Sequence, residues 1–324
     1  MPERQPGEMF EMSGLEYADD YTALLFCDRP TVERIAPVVN AHFQRFGMQV
    51  HEKKPSDTKV KTIVLFCAAP PSVYDDPTTF DGADLSDFTL PNGNVIPVVD
   101  KAKYLGSIVS RDCTDDVDVS ARVLAASKAF GALGDCLFRS DSISVAAKRE
   151  AYVALVMAVL LYGCECWNLT AGLWAKLKKF HHACARTMCR ISMWHTQAYG
   201  ITTASVLQLL KLRHIETYVI RRQLQWAGHI ARMGPERLPR KFLTSWCYNA
   251  RPQARPDFTF GEGLEEALRY AGVEVSSWMT VARNRKGWRE IIMAISDKAE
   301  AEEPHPVLRQ RAEVANNKSN QSSE

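Results

Sequence analysis

Two adjacent carboxylates, Asp19 and Asp20, sit near the start of this 324-residue chain. Tyr17 and Ala18 precede them, and the apolar, β-prone segment 21–27 (YTALLFC) follows. Paired carboxylates between apolar strands are costly unless something positive sits with them. A divalent metal is the natural partner, because hard cations take oxygen ligands and two-metal phosphoryl or nucleotidyl transfer uses them on a rigid turn. A bare Asp-Asp pair also fits a plain solvated turn, since Asp favours turns. The preceding aromatic and the following apolar strand are what a recessed catalytic hairpin requires.

A second set of chemistry-bearing residues lies in the middle of the chain. Lys176, Lys178, Lys179, Arg186 and Arg190 follow one another along one helical segment, and Arg221, Arg222 and Arg232 along another. Trp174, Trp194 and Trp226 are interleaved with them. Cations neutralise phosphates while aromatic rings pack or stack, so the pattern suits a nucleic-acid backbone. A solvated basic face with core tryptophans also fits. Leu173, Leu177, Phe180, Cys184 and Met188 recur at helical spacing and mark one face as core.

Metal and thiol chemistry are disfavoured. Cys164 and Cys166 are too close for the usual zinc spacing, and Cys184 and Cys189 are five apart on a helical segment. Adjacent His181 and His182 point in different directions, so these groups read as buried thiols and surface histidines. His214 and His229 read as capping or packing residues. No glycine-rich elbow accompanies any cysteine, which leaves a Cys-His nucleophile without local support. Nine scattered cysteines read as reduced thiols.

The net charge is only +2, a value that by itself argues against nucleic acid. It conceals an asymmetry. Residues 1–120 carry 11 Lys and Arg against 20 Asp and Glu, and residues 121–295 carry 25 against 12. An acidic first third is thus joined to a basic second half, a pattern that points toward nucleic acid. Residues 1–16 are polar and acidic, unlike a signal peptide. The longest apolar run, 151–164, is shorter than the roughly 20 residues of a membrane span and reads as a buried core helix. The expected location is intracellular, cytoplasmic or nuclear, with no membrane partner.

The elements that must position these residues change character along the chain. Segment 21–27 reads as a strand buried on both faces. Segment 31–46 reads as an amphipathic helix with Val32, Ile35, Val38, Val39, Phe43 and Phe46 on its apolar side and Gly47 ending it. Residues 61–67 and 104–109 read as strands, and 68–87, rich in Pro and Asp, as a loop. Asn92-Gly93 marks a hairpin over 88–99, because a type I′ turn needs positive φ at both central residues. After residue 118 the period becomes helical: 121–137, 145–162, 173–191, 205–212 and 215–233 read as helices, with Ser144 and Thr170 at N-cap positions. Short helices follow over 264–271 and 284–295.

The Tyr17-Ala18-Asp19-Asp20 hairpin with its following strand resembles the catalytic motif C of reverse transcriptases. Phe46-Gly47-Met48 after a helix, then Lys61-Thr62 before an apolar strand, resembles motif D. Lys103-Tyr104-Leu105-Gly106-Ser107 resembles the primer-grip hairpin, motif E. Leu160-Leu161-Tyr162-Gly163-Cys164-Glu165-Cys166-Trp167 resembles the thumb segment of non-LTR (LINE-type) retrotransposon polymerases. Residues 221–233 (RRQLQWAGHIARM) and Trp288-Arg289 resemble segments downstream of that thumb. The matches are collinear over roughly residues 10–292.

The resemblance implies that Asp19 binds the catalytic Mg²⁺ ions, with Asp20 in a smaller or indirect role. Tyr17 would lie near the primer terminus. Lys61, with Lys53 and Lys54 as alternatives, would protonate the pyrophosphate leaving group. Tyr104, Leu105 and Gly106 would shape the primer grip, and the basic helices would hold an RNA or DNA template-primer. The family also needs a motif A aspartate and fingers upstream of motif C, and only 16 residues precede Tyr17. The expectation is therefore a catalytically incomplete polymerase fragment. The alternatives are a non-enzymatic nucleic-acid-binding helical protein, or a degenerate transposon remnant.

The expected fold class is α+β. A partial palm over 1–118, a small antiparallel sheet with a helix, precedes a helical thumb-like region over 119–200. A helical C-terminal region over 201–295 and a disordered tail over 296–324 complete the expectation.

Overall fold

The computed structural model describes residues 14–17, 20–23, 29–54, 57, 61–65, 86–90, 92–244 and 260–297. Asp19, the strand end at 24–27, most of the loop over 68–87, the loop over 251–259 and the tail from 298 lie outside the described residues. The class is α+β, mostly helical with short two-stranded ladders. Two compact units divide between Thr114 and Asp115.

The first unit opens with an antiparallel pair, β1 (Gly14–Tyr17) and β2 (Asp20–Ala23), in register Tyr17 to Asp20. Helix α1 (Arg29–Gln44) follows. Pro30 is tolerated there because the first-turn N–H groups have no intrahelical partner. Gly47, at φ +74°, reverses the chain in the left-handed region, as its type suggests. Val32 and Ala36 pack against the small core of Phe88, Leu90 and Ile96. Val38 and Phe46, expected on the buried side, are exposed instead. Strand β2 also departs from expectation. Its described residues are exposed or half-buried rather than covered on both faces. Among the described residues Tyr21 meets a single ring, the edge-on Phe43 at 5.5 Å.

Strand β3 (Val64–Leu65) runs parallel to β6 (Val98–Val99), and β4 (Phe88–Thr89) antiparallel to β5 (Val95–Ile96). Leu90 N–H donates to Asn94 O at 2.8 Å, so the β4–β5 loop has three residues rather than the two of a type I′ turn. Gly93 takes φ +79° at the last loop position, where such hairpins call for the left-handed region. Glu52 ties the loop to α1: its carboxylate accepts from Asn40, Asn92 and Asn94 amides at 2.9, 2.6 and 2.9 Å. These bonds, Asn94 first, hold its pKa below the usual value.

Residues 104–109, read as one strand from their apolar type and as a hairpin over 103–107 from the motif E resemblance, belong to a hairpin of β7 (Lys101–Tyr104) and β8 (Ser107–Ser110). Leu105 and Gly106, at φ +45° and +91°, form its two-residue turn. A glycine preceded by a residue forced to positive φ is the signature of a tight hairpin, and an apolar Leu at the first position hides it.

The second unit is helical. Helix α2 (Asp116–Ala132) ends in a π-helical turn, Gly134–Phe138. Helix α3 (Val145–Ala151) passes through a π-helical stretch, Tyr152–Met157, into α4 (Ala158–Leu160). Val153, Leu155 and Tyr162 are exposed, so the apolar run is buried on one side only. Then come α5 (Ala171–Met188), α6 (Met193–Tyr199), α7 (Thr203–Leu209), α8 (Ile215–Ala231) and α9 (Leu238–Thr244). Helices α10 (Phe260–Tyr270), α11 (Trp278–Arg283) and α12 (Arg285–Asp297) close the described chain.

The expected caps are present. Ser144 Oγ accepts from Ala147 N–H at 3.2 Å and Thr170 Oγ1 from Leu173 N–H at 3.4 Å. Two cores share α8. Ile215 and Val219 join a cluster that includes Tyr152, Leu160, Leu173 and Leu177. Ile220, Leu224, Ala227 and Ala231 join Leu264, Leu268, Ala282, Trp288 and Ile292. Facing two cores requires a helix apolar on more than one side, as α8 is.

Candidate nucleic-acid interface

In the segment read as motif C, Tyr17 and Asp20 pair at the ends of β1 and β2, and both are exposed. Lys61 is exposed in coil, and Lys53 forms an isolated bridge with Val95. A Mg²⁺ ion takes one or two carboxylates plus water or phosphate oxygens. Asp20 is the one member of the Asp19–Asp20 pair that is described, and a single exposed carboxylate does not define such a site. Among the described residues no group of three His, Cys, Asp or Glu is placed to hold a metal ion. No chemistry is assigned to an ion on this hairpin. Tyr104 is half-buried at the end of β7, with Leu105 and Gly106 forming the turn beyond it.

The helical unit sorts its basic residues by what they touch. Lys176, Lys179 and Arg186 are three and ten residues apart on α5, so they fall on one face and span about 15 Å. Exposed Ala183 lies between Lys179 and Arg186 on that face and leaves it open. Arg190 follows two residues past the helix end, exposed, at φ +57°. Two of the four are partly held from within. Lys176 Nζ donates to Ser120 Oγ at 2.8 Å and lies 3.8 Å from Asp116. Arg190 donates to Arg139 O at 2.9 Å and lies 3.9 Å from Asp141.

Lys178, Arg221 and Arg222 are directed elsewhere. Lys178 Nζ lies 2.5 Å from the Glu216 carboxylate. Arg221 contacts Met293 Sδ at 3.3 Å. Arg222 donates to Leu161 O at 2.9 Å and lies 3.5 Å from Glu165. Sequence reasoning could not separate these groups, because spacing places a residue on a helix face without saying what that face meets.

The stripe sits in an unusual stretch of chain. From Cys166 to Ile215 there is no Asp or Glu, while Lys176, Lys178, Lys179, Arg186, Arg190, Lys211 and Arg213 are present. A long acid-free segment keeps its cations from being neutralised along their own helix, so the carboxylates that face Lys176, Lys178 and Arg190 come from other segments. Lys148 is buried, donates to Met188 O at 3.3 Å near the end of α5, and burial lowers its pKa.

The motif segments have packing work that their letters did not reveal. Gly163, at φ +78°, turns the chain between Leu161 and buried Cys164. Trp167 is buried, with its indole N–H on Asp118 Oδ2 at 2.9 Å and its carbonyl accepting from Gln223 at 2.9 Å. Residues 160–167 thus fasten α2 to α8.

His181, expected at the surface, is fully buried. Its Nε2 lies 2.9 Å from Arg213 O, which can only accept, so Nε2 carries the proton. Nδ1 then accepts from the Tyr152 hydroxyl at 2.9 Å. Burial is the main cause that lowers its pKa to about 4. With both ring nitrogens engaged and the ring neutral, His181 is a structural group rather than a ligand or base.

No protein-family model matches the chain, and no solved structure matches it. It is similar to a putative uncharacterized transposon-derived protein of Caenorhabditis elegans, with 24% identity over 289 residues. The alignment spans 87% of this chain and 95% of that protein. Among the described residues no helix is long and apolar enough to cross a membrane.

Proposed function

We propose that the chain is transposon-derived, of the non-LTR reverse-transcriptase line, and that its working property is binding nucleic acid through the helical unit. The observation that carries this is the α5 stripe of Lys176, Lys179 and Arg186, continued by Arg190 inside an acid-free segment. The nematode relative's description and the collinear motifs support the descent. Contacts from such a stripe go to phosphates, so they position a strand without reading its sequence. The proposal is limited to binding.

Two measurements test the reading. Binding of a labelled oligonucleotide should weaken steeply with salt, because each neutralised phosphate releases counterions. A Lys179→Ala, Arg186→Ala variant should bind more weakly with a shallower salt slope. Affinity that does not change with salt would refute the electrostatic reading. Pure protein with Mg²⁺, deoxynucleotides and a primed RNA template should give no extension. Extension would restore the polymerase in its place.

A further inference from the structure

Among the described tryptophans Trp194 alone is exposed, at 63% of its surface, and it belongs to neither helical core. It sits on α6, which begins five residues after α5 ends. Trp194 meets His195 and Tyr199 at 5.2 and 5.9 Å with the rings nearly perpendicular. Among the described residues no ring is stacked face-to-face on Trp194. Met193 and Tyr199 beside it are exposed too.

The platform is held in shape. Ser192 Oγ accepts from the backbone N–H of His195, and the His195 ring accepts from the backbone N–H of Ser192 at 3.2 Å. This reciprocal capping pins His195, which stacks at 6.2 Å on Tyr199. Gly200, at φ +60°, ends the helix. An exposed indole has only two side-chain torsions and loses little freedom when something packs on it.

Charge decides what that something is. The platform lies within the acid-free segment, four residues after Arg190 in the sequence. A basic track leading to an exposed aromatic is how single-stranded nucleic acids are held: cations follow the phosphates and rings stack the bases. A duplex hides its base faces except at its two ends.

We infer that Trp194, supported by Tyr199 and His195, stacks an unpaired base of a single strand whose phosphates run along α5. The inference rests on the proposed nucleic-acid binding and adds a preference for single strands over duplex.

The test uses the full chain with four probes: a 20-nucleotide oligo-dT, a 20-nucleotide oligo-U, and a blunt 20-base-pair duplex of each type. Wild type should prefer the single strands. Trp194→Ala should weaken them by about 5- to 150-fold, the usual cost of one lost base–aromatic stack. Duplex binding and the salt slope should stay unchanged, because no phosphate contact is lost. Trp194→Phe should keep most of the single-strand affinity, which separates stacking from any effect on folding. Lys179→Ala with Arg186→Ala should weaken every probe and flatten the slope. The dT and U arms distinguish a DNA from an RNA ligand. Single-strand affinity unchanged in Trp194→Ala overturns the platform while leaving the stripe intact. A loss of self-association with no loss of binding assigns α6 to contacts between copies and also overturns it. No binding of any probe by wild type overturns both readings.

Discussion

Gly228 on α8 lies directly beneath the indole of Trp288 on α12. A Cβ at residue 228 would fall 2.1 Å from Nε1 and 2.4 Å from Cδ1 of that ring. The absent side chain lets the indole reach across the helix, where its N–H donates to Leu224 O at 2.9 Å. The two residues come from separate segments of the sequence resemblance, and here they form one joint.

Gly228→Ala should therefore destabilise the second core. The indole has no room beside a methyl group and must give up its hydrogen bond. Overpacking and a lost buried bond together predict a loss of about 2–4 kcal/mol. Urea unfolding of the full chain measures it, and a change below about 0.5 kcal/mol would show that the ring relocates freely.

A second joint is Asp118 with Trp167. Asp118 is buried, lies 3.8 Å from Arg122, and accepts the indole N–H of Trp167. Asp118→Ala should cost about 2–3 kcal/mol because it leaves a buried donor without an acceptor. Asp118→Asn keeps an acceptor oxygen and should cost less. Equal losses in the two variants would mean that the indole bond is not the cause.

Acid should weaken the helical unit through His181. Its folded pKa of about 4 lies below the ordinary 6.5, so the folded state resists a proton that the unfolded chain accepts. The contribution is fully present above pH 6.5 and is lost as pH falls toward 4. At about 1.4 kcal/mol per unit, the loss approaches 3 kcal/mol. Unfolding midpoints from pH 7 to 4 should fall less steeply in His181→Gln than in wild type. Parallel curves would contradict the assignment.

Thiol reactivity should follow burial. Cys113 and Cys136 are exposed, while Cys164, Cys184 and Cys189 are buried. Burial pushes the Cys184 thiol up to about 12 and raises that of Cys164 as well. The thiolate is the reactive form, so alkylation at pH 8 should modify Cys113 and Cys136 before Cys164, Cys184 and Cys189. Site-resolved mass spectrometry reads the order, and early modification of Cys184 would show that the core opens.

Leu105 holds φ +45° in the β7–β8 turn, a region that disfavours side chains. Asn tolerates it better, and Asn-Gly is the preferred pair for such turns. Leu105→Asn should raise stability by about 0.5–1 kcal/mol, visible as a higher unfolding midpoint. A lower midpoint would mean that the Leu side chain contributes more by packing than the turn costs.

Periodicity and local chemistry alone determined much of this protein. The α+β class, α5 with its Leu173–Leu177–Cys184–Met188 face, the caps at Ser144 and Thr170, and the reversal at Gly47 all follow from neighbours in sequence. Helical spacing and capping are local, so they are legible without a fold. The exposure of Tyr21, Val38 and Phe46 was not legible, because apolar type does not say whether another layer arrives. Nor was the burial of His181, since the Tyr152 hydroxyl and the Arg213 carbonyl that satisfy it come from other elements. The basic residues divide the same way. Residue type and spacing admitted them all either as phosphate ligands or as a solvated basic face. Tertiary structure turned Arg222 to the Leu161 carbonyl and Lys178 to Glu216, and left Lys179 and Arg186 outward, because a helix face acquires its role only from what packs against it.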